Sequence, residues 1–269
     1  MENYICITCG TQFQASDTFP ACCPICEDER QYVNPGGQQW TTLEEVRKNH
    51  HVVFRKKESN LWGIGTTPDF GIGQRALFLQ TPRGNVLWDC ISLIDETTVE
   101  IINSLGGLDA IAISHPHYYT SMVEWSLAFG GIPIYLHSSD QKWVQRKHAN
   151  IHFWNGESQE LFDKELTLYN VGGHFEGGTI LHWEKGAGGR GVLLAGDILQ
   201  VVPDRRHLSF MYSYPNHIPL NRKAIERISR LLAPLKYDRI YGAWWDRNIL
   251  QDGKNALQRS AKRYIEAIT

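Results

Sequence analysis

The chain has 269 residues, with 27 Lys and Arg against 29 Asp and Glu and a formal net charge of −2 at pH 7. So even a balance gives no bulk electrostatic signal for nucleic acid or a membrane surface, and the apolar runs are too often broken by charge to span a bilayer. The length allows one large domain with a small appendage; residues 1–6 lack the basic and apolar regions of a signal peptide, so the expected setting is cytoplasmic and reducing.

Five of the six cysteines lie in the first 26 residues. Cys6 and Cys9 form one C-x-x-C knuckle, Cys23 and Cys26 a second, and each can give two thiolates to one tetrahedral ion. In a reducing setting metal thiolates are favoured over disulfides. Cys22 is the odd neighbour, because using it would break the knuckle spacing. Gly10 after the first knuckle and Pro24 inside the second resemble rubredoxin and the short rubredoxin-like modules of rubrerythrins. Residues 1–40 are therefore read as a rubredoxin-like or zinc-ribbon module whose folding energy comes from zinc or iron.

Asn34-Pro35-Gly36-Gly37 is a turn, and Thr41-Thr42-Leu43-Glu44 reads as a capping box opening a short helix that ends near His50-His51. A strand over 52–54 leads into glycine-punctuated turns. A hairpin follows, 76–80 and 85–90 around Pro82-Arg83-Gly84, ending in Trp88-Asp89-Cys90 with Cys90 as a buried small residue. A helix over 96–105, closed by Gly106-Gly107, delivers the chain to a buried strand at 108–113. That strand stops at Ser114-His115-Pro116-His117, where two imidazoles can turn toward one point. Neutral imidazole is the commonest metal ligand among side chains.

The spacing then predicts a helix over 122–129 and a strand over 132–136. A short basic helix face follows over 142–148, with His137, His148 and His152 as surface or supporting residues. Strands over 166–170 and 179–183 flank a loop carrying His174. The glycine-rich stretch 186–191 lacks the Lys-Ser/Thr of a phosphate loop and reads as a hairpin turn. A helix over 222–232, a strand over 237–241 and a helix over 255–268 complete the chain.

Ser114-His115-Pro116-His117-Tyr118-Tyr119-Thr120 resembles a worn H-x-H-x-D-H motif, the signature of the metallo-β-lactamase fold superfamily. Gly173-His174-Phe175-Glu176-Gly177-Gly178 resembles the loop with the third histidine, and Leu194-Ala195-Gly196-Asp197 the strand end with the bridging aspartate. The resemblance runs from about residue 50 to the C-terminus. It implies an α+β fold, a four-layer αββα sandwich in two halves over 50–269. It also implies that His115, His117, His174 and Asp197 are metal ligands.

The family's second metal loses its ligands here. Tyr119 stands where the motif aspartate belongs, Thr120 where the next histidine belongs, and Ala243 near the family's last histidine. The expectation is one pocket ion, zinc or iron, whose chemistry Asp197 and Tyr119 assist as catalytic candidates. Tyr118 or Tyr119 can give a phenolic hydroxyl to an oxyanion or pack over the pocket mouth. Tyr118, Arg205 and Trp244 are the candidate substrate contacts. The leading reading is a metal-dependent hydrolase of a small ester, thioester, amide or lactone. Its alternatives are a mononuclear non-haem iron oxidoreductase and a non-catalytic metal-binding interaction protein. The expected partner is a small-molecule substrate, with no nucleic acid and no membrane, and a homo-oligomer is left open.

Overall fold

The computed structural model describes all residues, 1–269. The chain divides into two compact units, Met1–Trp154 and Asn155–Thr269.

The first unit is built on a seven-stranded sheet. His51–Glu58, Leu61–Thr67, Ala76–Thr81 and Gly84–Trp88 form an antiparallel meander. Ala110–Ala112, Ile134–His137 and Ile151–Trp154 then add in parallel. Parallel neighbours need crossovers. The helices Glu96–Ser104 and Met122–Ala128 lie within the first two of these connections. The Asp95 carboxylate caps the first helix, accepting from the Thr98 amide at 2.7 Å. At the helix Leu43–Asn49 the cap is Thr42, whose hydroxyl accepts from Glu45 N at 3.3 Å, one residue later than a Thr41–Glu44 box would place it. His50 ends that helix and His51 already opens the next strand.

Residues 142–148 do not make a charged helix. A 3-10 segment, Ser138–Trp143, stops there, and the Gln145 carbonyl instead accepts from the Gln14 amide at 3.1 Å. A long-range backbone bond overrides weak local propensity.

The cysteine-bearing N-terminus lies within this unit. Ile5–Cys6 pairs with Trp40–Thr41, and Pro24–Glu27 makes a single helical turn. Cys6, Cys9, Phe13, Cys23, Ile25 and Cys26 form a small buried cluster against which Trp40 and Trp143 pack.

The second unit has a six-stranded sheet. Ser158–Leu161, Leu166–Asn170, Thr179–Trp183 and Val192–Gly196 run antiparallel in sequence. Arg239–Gly242 adds parallel to Val192–Gly196, and Asn248–Ile249 closes the edge. The 186–191 stretch is a turn between antiparallel strands, with Ala187 and Gly188 in the left-handed region. The helix Arg222–Leu232 buries Ile225, Ile228 and Leu232, and the helix Gly253–Ile268 buries Ala256, Leu257 and Ala261. This near-3.6 spacing gives each helix one apolar stripe, packed with Leu193, Ala195 and Ile240 of the sheet. No helix is long and apolar enough to cross a membrane.

In each unit the candidate site residues follow parallel strands. Asp89 follows Gly84–Trp88, and His115 lies three residues beyond Ala110–Ala112. Asp197 and Ala243 immediately follow Val192–Gly196 and Arg239–Gly242.

Candidate metal centres

The four knuckle cysteines are buried and unbridged, and their sulfurs lie within 4.8 Å of one another. Cys6 and Cys26 stand 3.6 Å apart, as do Cys9 and Cys23. A tetrahedral zinc with Zn–S near 2.3 Å separates its sulfurs by about 3.8 Å, so the cluster already has the size of a metal cage. Hydrogen bonds from Cys23 first, then Cys26 and Cys9, push the Cys6 thiol well below its ordinary value. The Gln38 amide also donates to its sulfur at 3.0 Å. Cys6 is thereby biased toward the metal-binding thiolate, while the Cys9 and Cys26 thiols, hydrogen-bonded first of all with Cys23, are pushed up. Cys22, by contrast, is exposed, and Cys90 is buried with its thiol pushed up to about 12 by desolvation, the setting of an unreactive core cysteine.

The first unit contributes His115 and His117, flanking Pro116 in a 3-10 turn just beyond the strand Ala110–Ala112. Their rings stand 5.0 Å apart, and the Tyr118 ring meets His115 edge-on at 4.5 Å. The Ser114 hydroxyl lies 3.0 Å from His115 Nδ1. That contact suits the tautomer with its proton on Nδ1 and its lone pair on Nε2, the arrangement of a ligand oriented from behind. The Ser114 amide donates to Asp89 Oδ1 at 2.8 Å. Asp89 itself sits at φ 61, and burial raises its carboxyl to about 7. Asp89 thus fixes the start of the histidine loop, a role that its position at a strand end suggests only weakly.

The second unit contributes His174 and Asp197. His174 sits on a loop closed at its mouth, where the Val171 and Gly172 amides both donate to the Gly178 carbonyl at 2.9 Å. A Cβ at Gly178 would meet Gly172 O at 2.5 Å, so the closure requires glycine. Asp197 follows the buried strand Val192–Gly196 directly. The Tyr214 hydroxyl donates to its backbone carbonyl at 2.7 Å, and the Tyr214 ring lies 5.7 Å from the His174 ring. Nothing in the sequence pattern marks Tyr214 for this contact.

Beside Asp197, the Ala243 amide donates to Gly196 O at 3.0 Å, and the residue is buried. The strand end that could offer another metal donor therefore presents a methyl group.

His115, His117 and His174 are 1–3% exposed, and each offers an imidazole nitrogen that could hold a metal ion. Of the other candidates, Tyr118 and Tyr119 are buried, and burial first, then the Asp140 charge, raises the Tyr119 hydroxyl far above its ordinary value. Arg205 is exposed in a turn at φ 54, and Trp244 is half-buried just after the strand Arg239–Gly242.

No protein-family model matches the chain. It is 48% identical over 270 residues to the Bacillus subtilis (strain 168) protein described as uncharacterized protein YmaE, covering 100% of this chain and 97% of that one. The chain belongs to the YmaE family. Among solved structures it resembles the metallo-β-lactamase DIM-1, with a TM-score of 0.61 and 15% identity over 81% of this chain and 99% of that one. It also resembles the metallo-β-lactamase from Pontibacter korlensis, with a TM-score of 0.56 and 14% identity over 79% and 98%. A third is FIM-1 from Pseudomonas aeruginosa in its mono-zinc form, with a TM-score of 0.54 and 13% identity over 80% and 96%. The fold is the metallo-β-lactamase fold, as the worn histidine motif implies.

Proposed function

We propose that this member of the YmaE family is a metal-dependent hydrolase. In this reading His115, His117 and His174 hold a single ion, and the substrate is a small ester, thioester, amide or lactone. The observations that support it are three buried histidines, His115, His117 and His174, at the ligand positions of the worn motif in a chain with the metallo-β-lactamase fold. Ala243 supports the single-ion count, since a methyl group beside Asp197 offers no donor, and Tyr119 and Thr120 replace the other two second-site ligands of the motif. The mono-zinc form of FIM-1 shows that a protein of this fold accepts one ion.

A bound metal would supply Lewis acidity toward a carbonyl at neutral pH. The protein's part is to aim the ligands and exclude bulk water. Ser114 orients His115, the closed 172–178 loop orients His174, and Tyr214 holds the backbone at Asp197. Asp197 is assigned to orient the attacking water or complete the ligand set. Tyr119, kept protonated by burial, is the hydroxyl donor of this reading, with Tyr118, Arg205 and Trp244 as substrate contacts.

Elemental analysis of protein prepared without chelator, paired with a panel of chromogenic esters, thioesters, amides and lactones, tests the proposal. Two metal equivalents per chain, with His174→Ala removing one equivalent and the hydrolysis, is the expected result. A wild-type chain holding no metal beyond the cysteine cluster would overturn it. Iron at both sites with redox turnover and no hydrolysis would replace it with the oxidoreductase reading.

A further inference from the structure

The sequence presents the cysteine knuckles and the histidine loop as separate devices, with Cys26 and His115 89 residues apart. The structure joins them through a closed ring of hydrogen bonds inside the first unit. The Gln12 amide, three residues past Cys9, donates to the Thr120 carbonyl at 3.0 Å, three residues past His117. The Gly10 carbonyl, next to Cys9, accepts from the Ser92 hydroxyl at 2.8 Å. The Ser92 carbonyl in turn accepts from the Ser121 hydroxyl at 2.7 Å. The ring therefore runs from the first knuckle to Ser92, on to Ser121 and Thr120, and back to the knuckle.

A second tie lies alongside. Arg146 Nη1 donates to both Gln12 Oε1 and Glu124 Oε1, and Gln12 Nε2 lies 3.3 Å from the same Glu124 oxygen. Glu124 belongs to the helix that follows the histidine loop.

The backbone at the contact is of the kind that needs holding. Thr120 sits at φ 36. A β-branched residue adopts the left-handed region only where its surroundings force it. The fit at the knuckle is close as well. Gly10 lies at φ 79, and a Cβ there would come 2.4 Å from Ser92 Oγ.

Four thiolates on one ion would lock the two knuckles to each other, adding to the packing of Trp40 and Trp143 that already holds the cluster in the first unit. The first knuckle is what grips Thr120 and Ser92.

From this we infer that the four-cysteine module is the positioning device of the histidine loop, with Gln12 and Gly10 as its contact residues. Metal in the cysteine cage then raises the affinity of the histidine pocket for its own metal. The inference rests on the proposed reading that the pocket binds an ion. Coupling of this kind is reciprocal: whatever factor the cage adds to pocket affinity, the filled pocket must add to the cage.

Cobalt(II) titration reads both sites at once, because thiolate-to-cobalt charge-transfer absorption marks the cage and weaker ligand-field bands mark the pocket. Wild type should show both sets. Cys23→Ser with Cys26→Ser should abolish the charge-transfer band and weaken pocket binding about tenfold or more, within the usual range for coupled sites. Gly10→Ala keeps all four thiols and pushes the knuckle off Ser92, so it should keep the charge-transfer band while weakening the pocket. Adding Ser92→Gly removes the clashing hydroxyl and should restore part of the loss. His174→Ala, which leaves the first unit untouched, should weaken cobalt binding in the cage by the same factor. If Gly10→Ala empties the cage as well, the His174→Ala titration decides. Pocket affinity unchanged in the cysteine variant, or cage affinity unchanged in His174→Ala, would overturn the inference. A wild type with the charge-transfer band alone would instead overturn the proposed function, and the inference with it.

Discussion

The Tyr214 hydroxyl donates to the backbone carbonyl of Asp197 at 2.7 Å, and burial followed by the Asp197 charge keeps that phenol protonated far above its ordinary range. With its ring also 5.7 Å from His174, one residue braces both second-unit members of the proposed site. Tyr214→Phe keeps the ring and removes the donor. Loss of a buried hydrogen bond costs about 1–3 kcal/mol, so thermal stability should drop and pocket zinc should bind more weakly. Tyr214→Leu should weaken zinc further by releasing His174. Chelator competition on the three proteins checks the order, and equal zinc affinities would remove Tyr214 from the site.

Asp89 carries a pH signature. Burial raises its folded carboxyl to about 7, against about 3.9 for an unperturbed aspartate. Between those values the unfolded chain has released the proton while the fold retains it, so the group's contribution to stability falls as pH rises from 4 and levels off near 7. Asp89→Asn keeps an oxygen acceptor for the Ser114 amide and cannot ionise. Its stability relative to wild type should therefore grow across that window by an amount on the order of 4 kcal/mol. Melting temperatures of both proteins at half-unit pH steps decide it, and parallel curves would contradict it.

The strands and helices were largely legible because their patterns are strong. Leu166–Asn170 and Thr179–Trp183 are the two strands expected on either side of the His174 loop, and Arg222–Leu232 is the expected helix. Ile151–Trp154 and Ser158–Leu161 left no such mark: they are short, and Ser158, Gln159 and Glu160 have the composition of a loop. The three histidines were legible from their motif. The contacts of Tyr214 and Gln12 were not, because each reaches a backbone carbonyl elsewhere in the chain, and no residue pattern records such a contact. The knuckle cysteines announced a metal cage, but not that its first knuckle grips Thr120.

Restoring the missing second-site donors tests the single-ion count. Tyr119→Asp, Thr120→His and Ala243→His together should let the protein bind one additional zinc and gain activity toward simple esters or phosphodiesters. At φ 36, replacing a β-branched threonine with histidine also eases local strain. The buried Tyr119 site makes the new aspartate costly without metal. Zinc should therefore raise the melting temperature of the triple variant more than that of wild type. Zinc stoichiometry by elemental analysis, with anomalous diffraction on both proteins, checks this. A second pocket ion in the unmutated protein would sink it.

The cysteine cage should be the more oxidation-sensitive of the two sites. Cys6–Cys26 and Cys9–Cys23 are the pairs at 3.6 Å, so peroxide treatment of metal-stripped protein should link those partners. Each link takes two electrons from two thiols and passes them to the peroxide. Peptide mapping without reductant reads the pairing. Recovery of Cys22 linked to Cys23 as the main product would count against the cage geometry.

Asp197 and Ala243 immediately follow neighbouring parallel strands, Val192–Gly196 and Arg239–Gly242, whose interior residues make the packed core. A position just past a strand's last rung adds little to the ladder or to the core beneath it. Exchanging a histidine for an alanine there erases a ligand while Leu193 and Ile240 keep their places. Chemistry and architecture are thus inherited on separate accounts in this fold. A lineage can lose pocket ligands one by one with the melting curve of its metal-free protein almost unmoved, so the thermal robustness of the apoprotein says nothing about whether such a pocket still works.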